Sequence, residues 1–169
     1  NRLLVFYSGH GDTRAGYGGT VGYIIPTDTP QRSQDEGEFL NKALNMSDIV
    51  NWSQNVSNKH ILFLFDSCFS GSILAKRRGS DRMPEHIRES IKNPVRQFLT
   101  AGGDNETVPA QSKFTPAFIR AIRDQAADYT RDGYVTGEEL AMYLSNEVPK
   151  YTFPPTHPQE GKLGNGTDR

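Results

Sequence analysis

The chain predicts an α/β domain built on a mainly parallel β-sheet flanked by helices. Three observations carry this. Two continuous apolar runs, Leu3-Leu4-Val5-Phe6 and Ile61-Leu62-Phe63-Leu64-Phe65, have the composition of strands buried on both faces. A helical pattern lies between them. A third short run, Val95 to Thr100, follows after a long charged stretch. Strand, helix and strand in alternation imply a right-handed crossover between parallel neighbours.

The first strand is followed by a Gly-rich stretch, Gly11 to Gly22, too poor in apolar residues to count as an element. Val21-Gly22-Tyr23-Ile24-Ile25 reads as a short strand stopped by Pro26, and the polar residues 27–38 read as a surface loop. Ser47 or Asp48 is a suitable N-cap, with Ile49, Val50, Trp52 and Val56 forming the apolar face of a helix to about Ser57. A strand from His60 to Asp66 follows. Residues 75–94 are charged and include an exposed loop, Lys76-Arg77-Arg78-Gly79, and a weaker helix from Pro84 to Lys92. Val95 to Thr100 forms the next strand, ended by Gly102-Gly103. Thr115-Pro116 opens a helix whose shared face holds Phe118, Ile119 and Ile122. Thr136 and Glu139 make a capping box before Leu140, Tyr143 and Leu144, and from Pro149 on the prolines and glycines predict an irregular tail.

At 169 residues the chain is about one domain, long enough for a real core. Lys plus Arg number 19 against 20 acidic residues, so no global charge favours nucleic acid or an anionic membrane. No apolar run of transmembrane length and no leader pattern are visible, which predicts a soluble chain. The single cysteine rules out an internal disulfide and suits a reducing, cytoplasmic setting. The chain starts at Asn1 with a strand at once, so it reads as one domain over 1–169 that lacks earlier strands and a last strand.

Chemistry concentrates at the ends of the first and second apolar runs. Tyr7-Ser8-Gly9-His10-Gly11 delivers an imidazole, and Asp66-Ser67-Cys68-Phe69-Ser70-Gly71 delivers the only thiol. A thiolate, an imidazole that manages protons and backbone N–H groups for an oxyanion are what acyl transfer through sulfur requires. Gly11 allows a tight turn with an exposed N–H, and the Cys68 N–H is a natural second donor.

The two motifs together closely resemble those of caspase-like cysteine peptidases (peptidase C14), specifically the metacaspase and bacterial caspase-homologue type. The gap from His10 to Cys68 matches the roughly 50 residues between His and Cys in caspases. Gln97-Phe98-Leu99-Thr100-Ala101-Gly102, Lys113-Phe114-Thr115, Asp132 to Leu140 and Pro158-Gln159 are similar to later segments of bacterial members. The resemblance implies a caspase-like three-layer sandwich, Cys68 as nucleophile, His10 as acid/base, and Gly11 with Cys68 as oxyanion donors. It also implies that Asp66 and Ser8 line a pocket for Arg or Lys at P1, the substrate residue before the scissile bond. The charge of Asp66 agrees, since a carboxylate in a partly desolvated pocket favours a guanidinium and repels an aspartate. Partners would be protein or peptide substrates with basic P1 residues, along with additional regulatory domains. The Lys76-Arg77-Arg78 loop offers basic sites for self-processing.

Each element has a plainer reading. A lone Cys is most often a small buried hydrophobe, a His at a strand end is commonly structural, and Asp66 could simply cap a turn. A silent caspase-fold scaffold and an acidic-P1 caspase are therefore the alternatives. The chemistry requires no cofactor. Calcium is the one metal with a template: Asp128, Thr130, Asp132, the Tyr134 carbonyl, Thr136 and Glu139 occupy ligand positions of a calcium loop, with Gly133 at the turn. Thr130 and Arg131 depart from that template, and a turn plus capping box is the favoured reading. His60, His86 and His157 show no convergent Cys or acidic spacing in the sequence, so no zinc site is expected.

Overall fold

The computed structural model describes residues 1–16, 19–67, 94–103 and 106–163. In chain order these form β1 (Arg2–Ser8), β2 (His10–Gly16), β3 (Gly19–Ile25), α1 (Glu36–Lys42), β4 (Leu44–Asn45), α2 (Met46–Asn55), β5 (His60–Asp66), β6 (Val95–Thr100), α3 (Phe114–Arg123), α4 (Gly137–Glu147), a 3-10 turn (Val148–Tyr151) and β7 (Gln159–Leu163). The main sheet runs β1-β5-β6-β7, its first three strands parallel and β7 antiparallel to β6. A smaller antiparallel sheet runs β2-β3-β4. The mixed α/β architecture with a mainly parallel sheet is the class the apolar runs predict. No helix among the described residues is long and apolar enough to cross a membrane.

β5 sits between β1 and β6, so its side chains are buried on both faces, and this is why its sequence shows no polar alternation. Ile61, Phe63 and Phe65 point to one side, where they meet Phe98, Met46 and Ile24, with Ile49, Val50 and Val56 packed against them. Phe63 and Phe98 stack with ring centroids 4.5 Å apart. Leu62 and Leu64 point to the other side, against Leu99, Phe114, Ala117, Leu140 and Leu144. The sheet is thus sandwiched between α2 on one face and α3 with α4 on the other.

Arg96 fastens the first of these layers. It faces the α2 side of β6, is 9 % exposed, and donates from its guanidinium to the carbonyls of Ser53, Val56, Asn58 and Lys59. These include carbonyls left unbonded at the end of α2, where a cation also meets the negative end of the helix dipole.

Several expectations are corrected. The stretch from Gly11 to Gly22 is not irregular: β2 and β3 pair antiparallel from His10↔Ile25 to Gly16↔Gly19. A backbone ladder supplies what the polar side chains of β2 cannot, and Asp12–Arg32 and Arg14–Glu36 ion pairs brace it. The loop assigned to 27–38 gives way to α1, which Asp35 caps by accepting from the Glu38 N–H at 2.9 Å. In α3 the buried face is Phe114, Ala117 and Ala121, while Ile119 and Ile122 point outward. Small alanines let the helix approach the sheet closely, and that packing outweighs raw hydrophobicity. Finally, the tail forms β7, whose backbone completes the ladder beside β6. α2 is present but capped by Asn45, and its Trp52 is about half exposed, off the buried face.

Candidate active site

β1 and β5 pair in parallel with Ser8 opposite Asp66. Paired residues of parallel neighbours project to the same face. Ser8 and Asp66 therefore lie side by side at the carboxyl end of the sheet, on the α3 and α4 side. The Gly9 N–H donates to the Asp66 carbonyl at 3.3 Å and ties the two strand ends together.

His10 opens β2 immediately beyond this point and is exposed, with Gly11 next to it and partly exposed. Tyr7 holds the turn that presents His10. Its hydroxyl lies 2.8 Å from the His10 carbonyl and 3.1 Å from the Ile25 carbonyl, so one phenol braces both strands of the hairpin. Burial raises the Tyr7 pKa, more than the Ile25 contact lowers it, so the phenol stays a donor. Gly9 is required here because an added Cβ would sit 2.5 Å from the Tyr7 oxygen. Tyr7 was not among the residues singled out from the sequence; only its place in the motif marks it.

Asp66 is buried, with 4 % of its surface exposed. Ser112 Oγ donates to Asp66 Oδ1 at 2.5 Å, and Thr115 Oγ1 donates to Asp66 Oδ2. The same Ser112 oxygen accepts from the Phe114 N–H at 3.1 Å. The carboxylate at the end of β5 is thus clasped by two hydroxyls flanking the start of α3, a helix whose N-cap residue, Lys113, makes no side-chain cap. Neither Ser112 nor Thr115 carries a sequence signal linking it to Asp66; the contact is purely tertiary.

A second carboxylate organises the chain after β6. Glu106 accepts from the Gly103 N–H at 2.8 Å and the His157 N–H at 2.7 Å, and its other oxygen lies 2.5 Å from His157 Nδ1. Burial opposes its charge, but these contacts outweigh burial and hold its pKa below the usual value.

The residues of the calcium template sit elsewhere, around Gly137, whose carbonyl accepts from Gln97 Nε2. Gln97 is level with Leu62 on β5, four residues upstream of Asp66. Glu139 Oε1 takes the N–H and hydroxyl of Thr130, and Oε2 takes the N–H and hydroxyl of Thr136. Asp128 takes the N–H groups of Asp132 and Gly133, and Asp132 that of Tyr134. The capping box at Thr136 and Glu139 is complete. Among the described residues no group of three or more His, Cys, Asp and Glu is placed to hold a metal ion.

Cys68 lies outside the described residues, as do the Lys76 to Gly79 loop, the expected helix from Pro84 to Lys92, and His86.

A family profile for the caspase domain of peptidase C14 matches residues 2–152. The chain belongs to the caspase-domain peptidases. Comparison with curated proteins finds no match. Within the matched span, β1, β5 and β6 supply the parallel core of this caspase domain, and the strand ends carrying Ser8 and Asp66 are its candidate active-site edge. Family membership supports cysteine peptidase activity in general and implies protein substrates.

Proposed function

We propose that this caspase domain is a cysteine endopeptidase that cleaves after Arg or Lys, with Cys68 as nucleophile and His10 as acid/base. One observation carries the reading: the parallel register sets Ser8 beside Asp66 on one face, and His10 and Cys68 each follow two positions later in the chain. The Cys68 thiolate would attack the scissile carbonyl, with the N–H groups of Gly11 and Cys68 receiving the oxyanion. His10 would give its proton to the leaving amine, then draw a proton from the water that hydrolyses the thioester. No step calls on a metal or cofactor. The negative charge of Asp66 would attract a P1 guanidinium or ammonium and disfavour P1 Asp.

Fluorogenic peptides that differ only at P1 (Arg, Lys, Asp or norleucine) test this in the wild type and in Cys68→Ala. Turnover of the Arg and Lys peptides, lost in the variant, is expected. Hydrolysis that survives Cys68→Ala, or a preference for P1 Asp, refutes the assignment. Self-processing at the Lys76 to Arg78 loop is tested by intact-mass spectrometry, where identical fragmentation in wild type and Cys68→Ala rules it out.

A silent scaffold is the second reading, favoured by the burial of Asp66 and the engagement of both its oxygens. Labelling of Cys68 by a peptidyl-Arg electrophile but not its peptidyl-Asp analogue discriminates: no labelling by either leaves the scaffold.

A further inference from the structure

Among the described residues, the Asp66 carboxylate is met by two neutral hydroxyls, one per oxygen, and by no cation. A carboxylate has about four lone-pair positions. Ser112 and Thr115 fill one on each oxygen, and among the described residues nothing else does; a planar guanidinium takes a carboxylate with two parallel N–H groups, one per oxygen. The hydroxyls also leave the carboxylate's negative charge uncancelled, so the site keeps its attraction for a positive group.

The two hydroxyls are not equivalent. Thr115 belongs to the first turn of α3, anchored through Phe114 and Ala117 in the core. Ser112 precedes the helix, on a stretch with no regular structure, and among the described residues its hydroxyl is held by Asp66 and the Phe114 N–H alone. Asp66 is 4 % exposed, so a substrate side chain reaches it only if one clasping group withdraws. Ser112 is the one free to do so.

We propose that Thr115 and Ser112 are P1-specificity residues with opposed effects: Thr115 holds the Asp66 carboxylate in the plane a guanidinium needs, and Ser112 is the donor that the guanidinium displaces. The inference rests on Asp66 as the base of the P1 pocket. It makes Arg the preferred P1 residue over Lys, because a single ammonium gains less from a fixed pair of oxygens. Both are positioning residues, since neither touches the reacting atoms.

The test compares kcat and KM of the full chain on P1-Arg, P1-Lys and P1-norleucine peptides. Ratios between peptides do not depend on the fraction of folded enzyme, so a merely structural role leaves them unmoved. Thr115→Val is expected to lower the Arg-to-norleucine ratio of kcat/KM by about tenfold or more, through KM, as loss of a hydrogen bond to a charged group does. Thr115→Ser is expected to restore it. Ser112→Ala is expected to lower KM for the Arg peptide, because no competing donor must be displaced. If Asp66→Asn keeps the Arg preference, or if the wild type hydrolyses none of the peptides, the P1 reading of Asp66 fails and the proposal with it. If Asp66→Asn abolishes the preference while Thr115→Val and Ser112→Ala leave it within about twofold, the reading stands and the proposal is overturned. Should Thr115→Val not fold, the Ser112→Ala arm decides alone: an unchanged or raised KM overturns the proposal.

Discussion

Replacing Glu139 with Ala removes an acceptor that takes four hydrogen bonds among the described residues. Glu139 is 5 % exposed, and its carboxylate takes two hydrogen bonds from Thr130, both 3.1 Å, and two from Thr136, both 2.9 Å. Burial opposes the charge most strongly, but the four donors outweigh it and hold the pKa below the usual 4.5. A hydrogen bond to a charged group nets about 1.5–3 kcal/mol when its donor is buried, but Thr130 is exposed and rehydrates its donors once the carboxylate is gone. The capping interaction at α4 adds about 1 kcal/mol. Together these give a loss of about 2–3 kcal/mol, or about 5–10 °C in Tm for a chain of this length.

Urea unfolding of wild type, Glu139→Ala and Glu139→Gln measures this, with Gln separating charge from shape. The pH dependence has a definite sign. A carboxyl whose folded pKa lies below its unfolded value contributes fully above about 4.5, and the contribution is lost as pH falls through the folded value. The gap between wild type and Glu139→Gln is therefore constant from pH 8 to 5 and narrows below about 4.5. A loss under about 0.5 kcal/mol, or a gap that widens on acidification, refutes the reasoning.

Three further outcomes are expected. Tyr7→Phe removes the phenol that braces the His10 and Ile25 carbonyls, so kcat falls severalfold while stability drops by about 1 kcal/mol; unchanged kcat would mean His10 is held by other contacts. Arg96→Met removes the guanidinium from four carbonyls at and just beyond the end of α2, of which Lys59 keeps the Val95 N–H, and costs about 3 kcal/mol or more by chemical denaturation, with Arg96→Lys recovering less than half; full recovery by Lys would show that charge alone suffices. Millimolar calcium leaves Tm unchanged, because Glu139 would first have to release four hydrogen bonds, and a calorimetric binding signal abolished by Asp132→Ala would reverse that view.

Some of the fold is legible residue by residue. The strand His60 to Asp66 appears as read, because a strand buried on both faces leaves an unbroken apolar run, and Val95 to Thr100 also appears as read although Arg96 and Gln97 interrupt its apolar residues. The helix at Thr136 is equally plain, since both halves of its capping box are written three residues apart. β2 was hidden because its side chains are polar and glycine-rich, and its stability comes from a backbone partner that composition does not encode. The outward turn of Ile119 and Ile122 was hidden for a related reason: the sheet selects Ala117 and Ala121 for close approach, a choice made by space and not by hydrophobicity.

By itself, the order of residues determines that an imidazole and a thiol follow two apolar strands, each two positions after a polar residue. That information is local and covalent, so no partner strand is needed to read it. Only the tertiary structure decides that Ser8 lies beside Asp66, and that Asp66 meets hydroxyls from Ser112 and Thr115 more than forty residues away in the chain. Register and long-range hydrogen bonds arise from how the strands and α3 pack against one another. No single segment contains them.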